Sequence, residues 1–276
     1  MQKMHEASVR DPTTLKQLVA IRYYLQHMLL FCVSRWNIVT KGVSNYRTLI
    51  NDIRPLQQAS KEKVCLVTFN YDTLLEDAIQ SAPVNVKIQS VADYVATDWP
   101  IFKLHGSVNW GRVLSTNMPE IAKKDLIQRA RDIIDKSPLE VSETYALDSG
   151  GSGMVTATPI PAGARLLFPA IAIPMQNKDE FELPREHQKQ LNEMLSEVSK
   201  VLVVGWRGAE SRFLQMLKTN LGGDTEFMVV SSGKASADEV INTIGKASVP
   251  GKTFLPASGG FTSAISTGEI ERFLAA

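Results

Sequence analysis

Leu15, Leu18, Leu25, Met28, Leu29, Cys32, Val33 and Trp36 recur at spacings of three and four. That spacing predicts one apolar stripe on a helix of about six turns. A second helix is predicted from Asn45 to Ala59, interrupted near Pro55. The pattern then changes. Val64-Cys65-Leu66-Val67-Thr68-Phe69 is short, β-branched and uncharged, as expected of a strand buried on both faces in a parallel sheet. Asn70-Tyr71-Asp72-Thr73 follows as a loop, and Leu74, Leu75, Ala78 and Ile79 resume helical spacing. Ile101–Leu104 reads as a second strand, ending at His105-Gly106-Ser107, and residues 121–135 read as helical.

Residues 147–163, rich in Gly, Ser, Thr and Pro, read as a flexible loop. Residues 140–163 are expected to be the most mobile internal segment and to cover a pocket entrance. Residues 166–174 are again apolar. Leu191, Met194, Leu195 and Val198 place an amphipathic helix over 185–200. It leads into Val201–Gly205, the cleanest run for a buried strand in the chain. A helix carrying Phe213, Leu214, Met216 and Leu217 comes next. The strand Phe227–Val230, a helix over Asp238–Ile244 and the strand Thr253–Leu255 complete the pattern. Strands alternating with helices predict an α/β fold with one mostly parallel central sheet, including 64–69, 101–104, 201–205 and 226–230.

Length and composition narrow the function classes. The 276 residues can bury a substantial core in one or two domains. Thirty Lys and Arg against 29 Asp and Glu leave a net charge of +1, which argues against a dedicated nucleic-acid or anionic-membrane surface. No apolar run approaches the ~18 residues of a membrane span. Cys32 and Cys65 lie inside apolar runs and read as reduced core thiols of a cytoplasmic protein. No Walker A, Gly-x-Ser-x-Gly, His-x-x-x-His or Cys-x-x-Cys motif occurs.

Two strand-end loops remain, Thr68-Phe69-Asn70-Tyr71-Asp72 and Lys103-Leu104-His105-Gly106-Ser107. Open α/β sheets place ligands at the carboxyl ends of their strands. Each loop also has a plain structural reading. Asn70 or Asp72 can cap the following helix, and Trp110 and Trp206 can be core. Lys103 and Arg207 lie near strand ends, where a lone cation most often belongs to solvated surface.

TFNYD followed by LLEDA, then KLHGSVNW, resembles the SIR2-like domain of bacterial sirtuin-related proteins. VVGWRGAE at 203–210 and RLLFPAIAIP at 165–174 support the resemblance, which runs from about residue 15 to the end. It implies a Rossmann-like, mostly parallel sheet in a single domain over 1–276. A helical part would occupy 1–60, and an inserted loop or helical segment 111–164. It also implies NAD as substrate and cleavage of the nicotinamide–ribose bond. Asn70 would position water or ribose, and His105 would act as base toward a ribose hydroxyl. Asp72 would hold the carboxamide. Gly106, Gly205, Trp206, Glu210 and Ser231 would line the cofactor site, Gly106 by letting the backbone approach the ligand. Such cleavage develops oxocarbenium character, and these residue types suit it.

Three departures refine what is implied. Residues 111–164 contain no Cys, so the four-cysteine zinc module of deacylating sirtuins is missing. This favours hydrolysis of NAD, as in antiphage-defence NAD hydrolases, over deacylation. The SIR2-like part fills the chain, so no attached effector or sensor domain is expected; the partners considered are NAD and a homo-oligomer, and the sequence does not fix the oligomeric state. No Gly precedes Gly42, so the Gly-Ala-Gly loop that cradles pyrophosphate is not recognised. Weak NAD binding and slow turnover are therefore expected. The alternatives are a catalytically weak or inactive nucleotide-binding or interaction protein, and a truncated fragment of a larger protein.

Overall fold

Asp11 opens the first helix, its carboxylate accepting the backbone N–H groups of Thr13 and Thr14, with Pro12 at the first helical position. The computed structural model describes residues 11–82, 86–115, 118–122, 124–148, 154–155, 165–173 and 181–276. Helix α1 (Pro12–Thr40) ends at Lys41 in the left-handed region. Helix α2 (Asn45–Ser60) runs unbroken through Pro55, contrary to the expected interruption. Proline costs it one backbone bond, while packing of Ile50 and Ile53 into the core holds the helix together.

The parallel part of the fold is divided. Strand β1 (Leu66–Thr68) pairs in parallel with β2 (Ile101–Lys103), with helix α3 (Leu74–Ser81) following β1. Strands β7 (Lys200–Val204), β8 (Glu226–Val230) and β9 (Thr253–Pro256) form a separate parallel sheet in that order. Helices α6 (Arg185–Leu195), α7 (Ser211–Asn220) and α8 (Lys234–Lys246) precede β7, β8 and β9 in turn. Short helices α9 (Phe261–Ser266) and α10 (Glu269–Ala275) close the chain and bury Ala264, Ile270 and Phe273 against β8.

β1 and β7 nevertheless run side by side. Just before them Lys63 Nζ lies 3.1 Å from Glu197 Oε2, and just after them the Phe69 and Trp206 rings stack at 5.7 Å. No backbone hydrogen bond joins the two strands among the described residues. The single sheet is thus corrected to two. Both runs read as doubly buried strands are half-buried edges, whereas β2 and most of β8 are fully buried. β2 keeps only one ladder as well, so the number of strand partners does not set the depth of burial.

The second correction concerns residues 106–171. The helix expected over 121–135 is present as Leu126–Asp135, but the loop or helical insertion expected over 111–164 is built around an antiparallel sheet in the order β4-β3-β6-β5. Its strands are β3 (Gly106–Leu114), β4 (Val141–Leu147), β5 (Met154–Val155) and β6 (Arg165–Ile171). Helices α4 (Pro119–Ala122) and α5 (Leu126–Asp135) cross between β3 and β4. The expected mobile stretch therefore includes the ordered strand β4. Its residues 149–153 and 156–164 lie outside the described residues.

α1 packs on this sheet with Val19, Tyr23 and Gln26. The Tyr23 hydroxyl donates to the Leu167 carbonyl at 3.1 Å, and Gln26 Nε2 to the Val108 carbonyl at 3.0 Å. The predicted stripe is not the buried one. Met28, Cys32 and Trp36 are exposed, and the rest of that stripe is only half-buried. Cys32 is therefore no core thiol. Cys65 is half-buried, and burial pushes its thiol up to about 12. Among the described residues no helix is long and apolar enough to cross a membrane.

Candidate functional site

Asn70, Tyr71 and Asp72 follow β1, and Leu104 and His105 follow β2. The two turns are laced together. Leu104 N–H donates to the Thr68 carbonyl at 3.0 Å, and Val108 N–H to the Tyr71 carbonyl at 2.9 Å. His105 is the residue at which the chain leaves the parallel pair and enters β3. Its carbonyl accepts the Ala172 N–H at 2.9 Å, tying it to the end of β6.

The ring of His105 lies in an aromatic setting and is 2% exposed. Phe69 is 5.1 Å from it and Tyr71 6.1 Å, centroid to centroid. Phe69 also stacks on Trp206 at 11° between ring planes and meets Phe213 edge-on. Trp206 follows the end of β7 and donates its indole N–H to Glu210 Oε2 at 2.5 Å. Gly205 N–H donates to the Val230 carbonyl at 2.9 Å, so Ser231 leaves β8 beside Gly205. The ends of β1, β2, β7 and β8 thus share one edge. The structure brings Phe69, His105 and Trp206 into contact there, with Glu210 and Ser231 at their flanks.

The polar residues of the first loop are turned to other tasks. Asn70 is exposed, and its side-chain N–H donates to the Tyr46 hydroxyl at 3.2 Å. Asp72 Oδ1 accepts the Leu74 N–H at 3.1 Å, as a cap of α3. Burial and the nearby Asp72 charge raise the Tyr46 hydroxyl above its ordinary value. Burial, with the Glu210 carboxylate adding to it, pushes Tyr71 up to about 12, so Tyr71 is a neutral donor to the Ala172 carbonyl at 2.8 Å.

The two glycines differ. At Gly106, φ is +78° and a Cβ would meet the Ala170 carbonyl oxygen at 1.9 Å. Close packing on β6 already demands glycine there, whatever else approaches the loop. At Gly205, φ is +67° and a Cβ would meet nothing within 4 Å. Its backbone is exposed at the strand end, open to an approaching molecule.

A buried polar network beneath the loops is the part that sequence reasoning missed. Lys103 is 0% exposed, so its reading as solvated surface is corrected. Its Nζ lies 2.8 Å from Glu76 Oε1 and also donates to the Asp72 carbonyl. The Tyr94 hydroxyl donates to Glu76 Oε1 at 3.1 Å, and Ser107 Oγ to Asn109 Oδ1 at 2.6 Å. Trp110 is fully buried core, edge-on to Tyr94. The available signal was the position of Lys103 between Phe102 and Leu104, inside an otherwise apolar strand. Arg207 is exposed, as expected.

A cavity of about 380 Å³ lies elsewhere, between the end of α1, the turn into α2 and α3, lined by Trp36, Asn37, Leu74 and Asp77. None of the predicted site residues lines it. Comparison with protein-family models, curated proteins and solved structures returns no match.

Proposed function

We propose that the chain is a SIR2-like, Rossmann-like NAD-binding protein that hydrolyses the nicotinamide–ribose bond at the shared strand edge. The observation that carries the reading is the contact chain His105–Phe69–Trp206, which links residues from β1, β2 and β7 at their carboxyl ends. Aromatic faces suit a nicotinamide ring, and the exposed Asn70 amide can orient a water or a ribose hydroxyl. Asp72 would hold the carboxamide after giving up its bond to the Leu74 N–H. The Gly205 backbone and Ser231 would border the ribose.

His105, as base toward a ribose hydroxyl, must first be reached. At 2% exposure it is covered in this conformation, which favours slow turnover. The same observation supports the second reading, a nucleotide-binding protein with little or no catalysis.

The test is incubation of purified protein with NAD and quantification of nicotinamide. Release that falls by about 10²–10⁴-fold in His105→Ala is the expected result for a general base. Equal release by wild type and His105→Ala would overturn the assignment of His105. Binding without release would leave the second reading standing.

A further inference from the structure

Among the described residues, α1 carries most of the large apolar side chains left in solvent. The exposed large apolar side chains among those residues are Ile21, Tyr24, Met28, Phe31, Trp36, Ile38 and Val39 on α1, with Val43, Ile127 and Leu255 the three elsewhere. Those on α1 are 38–75% exposed. Scaled by the roughly 150–250 Å² a large side chain can present, Ile21, Tyr24, Met28, Phe31, Ile38 and Val39 offer on the order of 600 Å² on this face. A monomer's largest apolar patch is usually about 300–600 Å². A standard interface buries about 800 Å² per partner.

The face has an internal order. Ile21, Tyr24, Met28, Phe31, Arg35 and Ile38 alternate in steps of three and four, the seam of a two-helix coiled coil. Laid antiparallel on a copy of itself about a two-fold axis between residues 29 and 30, the seam matches throughout. Ile21 meets Ile38, Met28 meets Phe31, and Tyr24 meets Arg35. These are an aliphatic pair, a sulfur–aromatic pair and a cation–π pair. A parallel arrangement would set Arg35 against Arg35. Residues 12–40 contain no acidic side chain, and the other cations of the helix, Lys16 and Arg22, lie toward Asp135 and Glu182. Arg35 is thus the charged group that decides the orientation. Self-complementarity of this kind is what a two-fold interface requires.

We propose that α1 pairs antiparallel with α1 of a second copy of this chain, through the Ile21–Ile38 seam. The inference is independent of the NAD reading, because α1 meets the rest of the protein with its opposite face, through Val19, Tyr23 and Gln26.

Sedimentation equilibrium of the full chain should give twice the 30.5 kDa protomer mass at micromolar concentration. Phe31→Glu and Tyr24→Glu should return it to the protomer mass with unchanged circular dichroism, since both side chains are exposed. Cys32 lies beside the seam, so its thiol should react more slowly in wild type than in Phe31→Glu. Orientation is read from a spin label on Gln17→Cys in a Cys32→Ser background. At 1.5 Å per residue, antiparallel pairing separates the two labels by about 40 Å, and parallel pairing by about 10 Å. A protomer mass at every concentration would overturn the proposal, as would a dimer unaffected by both Glu variants or a label distance near 10 Å. A monomer that instead co-sediments with phosphatidylcholine vesicles through this face would also overturn it.

Discussion

Lys103 and Glu76 form an ion pair with almost no solvent, 0% and 2% exposed and 2.8 Å apart. At an effective dielectric of about 20 their attraction is about 6 kcal/mol, and it offsets a desolvation cost of several kcal/mol per ion. Lys103→Met keeps the bulk but leaves the Glu76 carboxylate with the Tyr94 hydroxyl as its one side-chain hydrogen-bond donor among the described residues. Its Oε2 has no hydrogen-bond partner among the described residues. The expected loss is about 3–5 kcal/mol at neutral pH. Lys103→Met/Glu76→Met removes both charges and should cost less than either single change, a coupling of at least about 2 kcal/mol. Urea denaturation of the four proteins measures it. A Lys103→Met within about 1 kcal/mol of wild type, or strict additivity in the double variant, would refute the reasoning. The pair also carries the site, since Lys103 holds the Asp72 carbonyl. Any NAD cleavage should therefore fall in Lys103→Met under conditions where the variant remains folded.

His187 is buried edge-on to Trp110, and its Nδ1 has no hydrogen-bond partner among the described residues. Burial pushes its imidazole down to about 4, so the unfolded chain takes up a proton near the ordinary 6.5 while the folded protein does not. Its stabilisation is complete above about pH 6.5 and is lost as pH falls toward 4. About 2 kcal/mol should be lost between pH 7 and 5. Urea midpoints at the two pH values should show this in wild type and markedly less in His187→Phe; equal pH dependence in both would exclude His187 as the cause.

The βα units were legible because their chemistry is one-sided. Val64–Phe69 and Val201–Gly205 are uncharged, β-branched and bounded by polar turns, and both contain strands. Their depth was not legible, since the same composition serves an interior strand and a half-buried edge. The antiparallel sheet escaped because β3 lacks alternation. Gly106-Ser107-Val108-Asn109-Trp110 is buried nearly throughout, between β4, β6 and α1, with its polar members in hydrogen bonds rather than in water. Lys103 is misread for the same reason, because a charge neutralised by Glu76, 27 residues earlier in the chain, leaves no mark on spacing. α1 is apolar on two faces. Periodicity finds the stripe from Leu15 to Trp36 but cannot say that the fold uses Val19, Tyr23 and Gln26 instead. Of the candidate site, the strand-end placement could be read from motif order. The turning of Asn70 to Tyr46 and of Asp72 to Leu74 could not, because those bonds depend on tertiary neighbours.

For NAD at the proposed site, two phosphates would need partners, and the supply of groups for them sets the expected affinity. Lys103 is committed to Glu76 and the Asp72 carbonyl. Glu210 sits at the amino end of α7, where the helix dipole would otherwise favour an anion, and its carboxylate opposes one. Arg207 is exposed, and an exposed ion pair is worth about 0–1 kcal/mol. Stacking on Phe69 and Trp206 can contribute roughly 1–3 kcal/mol per ring. These terms together reach about 4 kcal/mol, which corresponds to a dissociation constant near 1 mM. Titration calorimetry of the 276-residue chain with NAD should therefore give a value in the high-micromolar to millimolar range, and Trp206→Ala should weaken it further. A low-micromolar constant would show that phosphate donors beyond these residues act at the site, and would make slow turnover a matter of His105 burial alone.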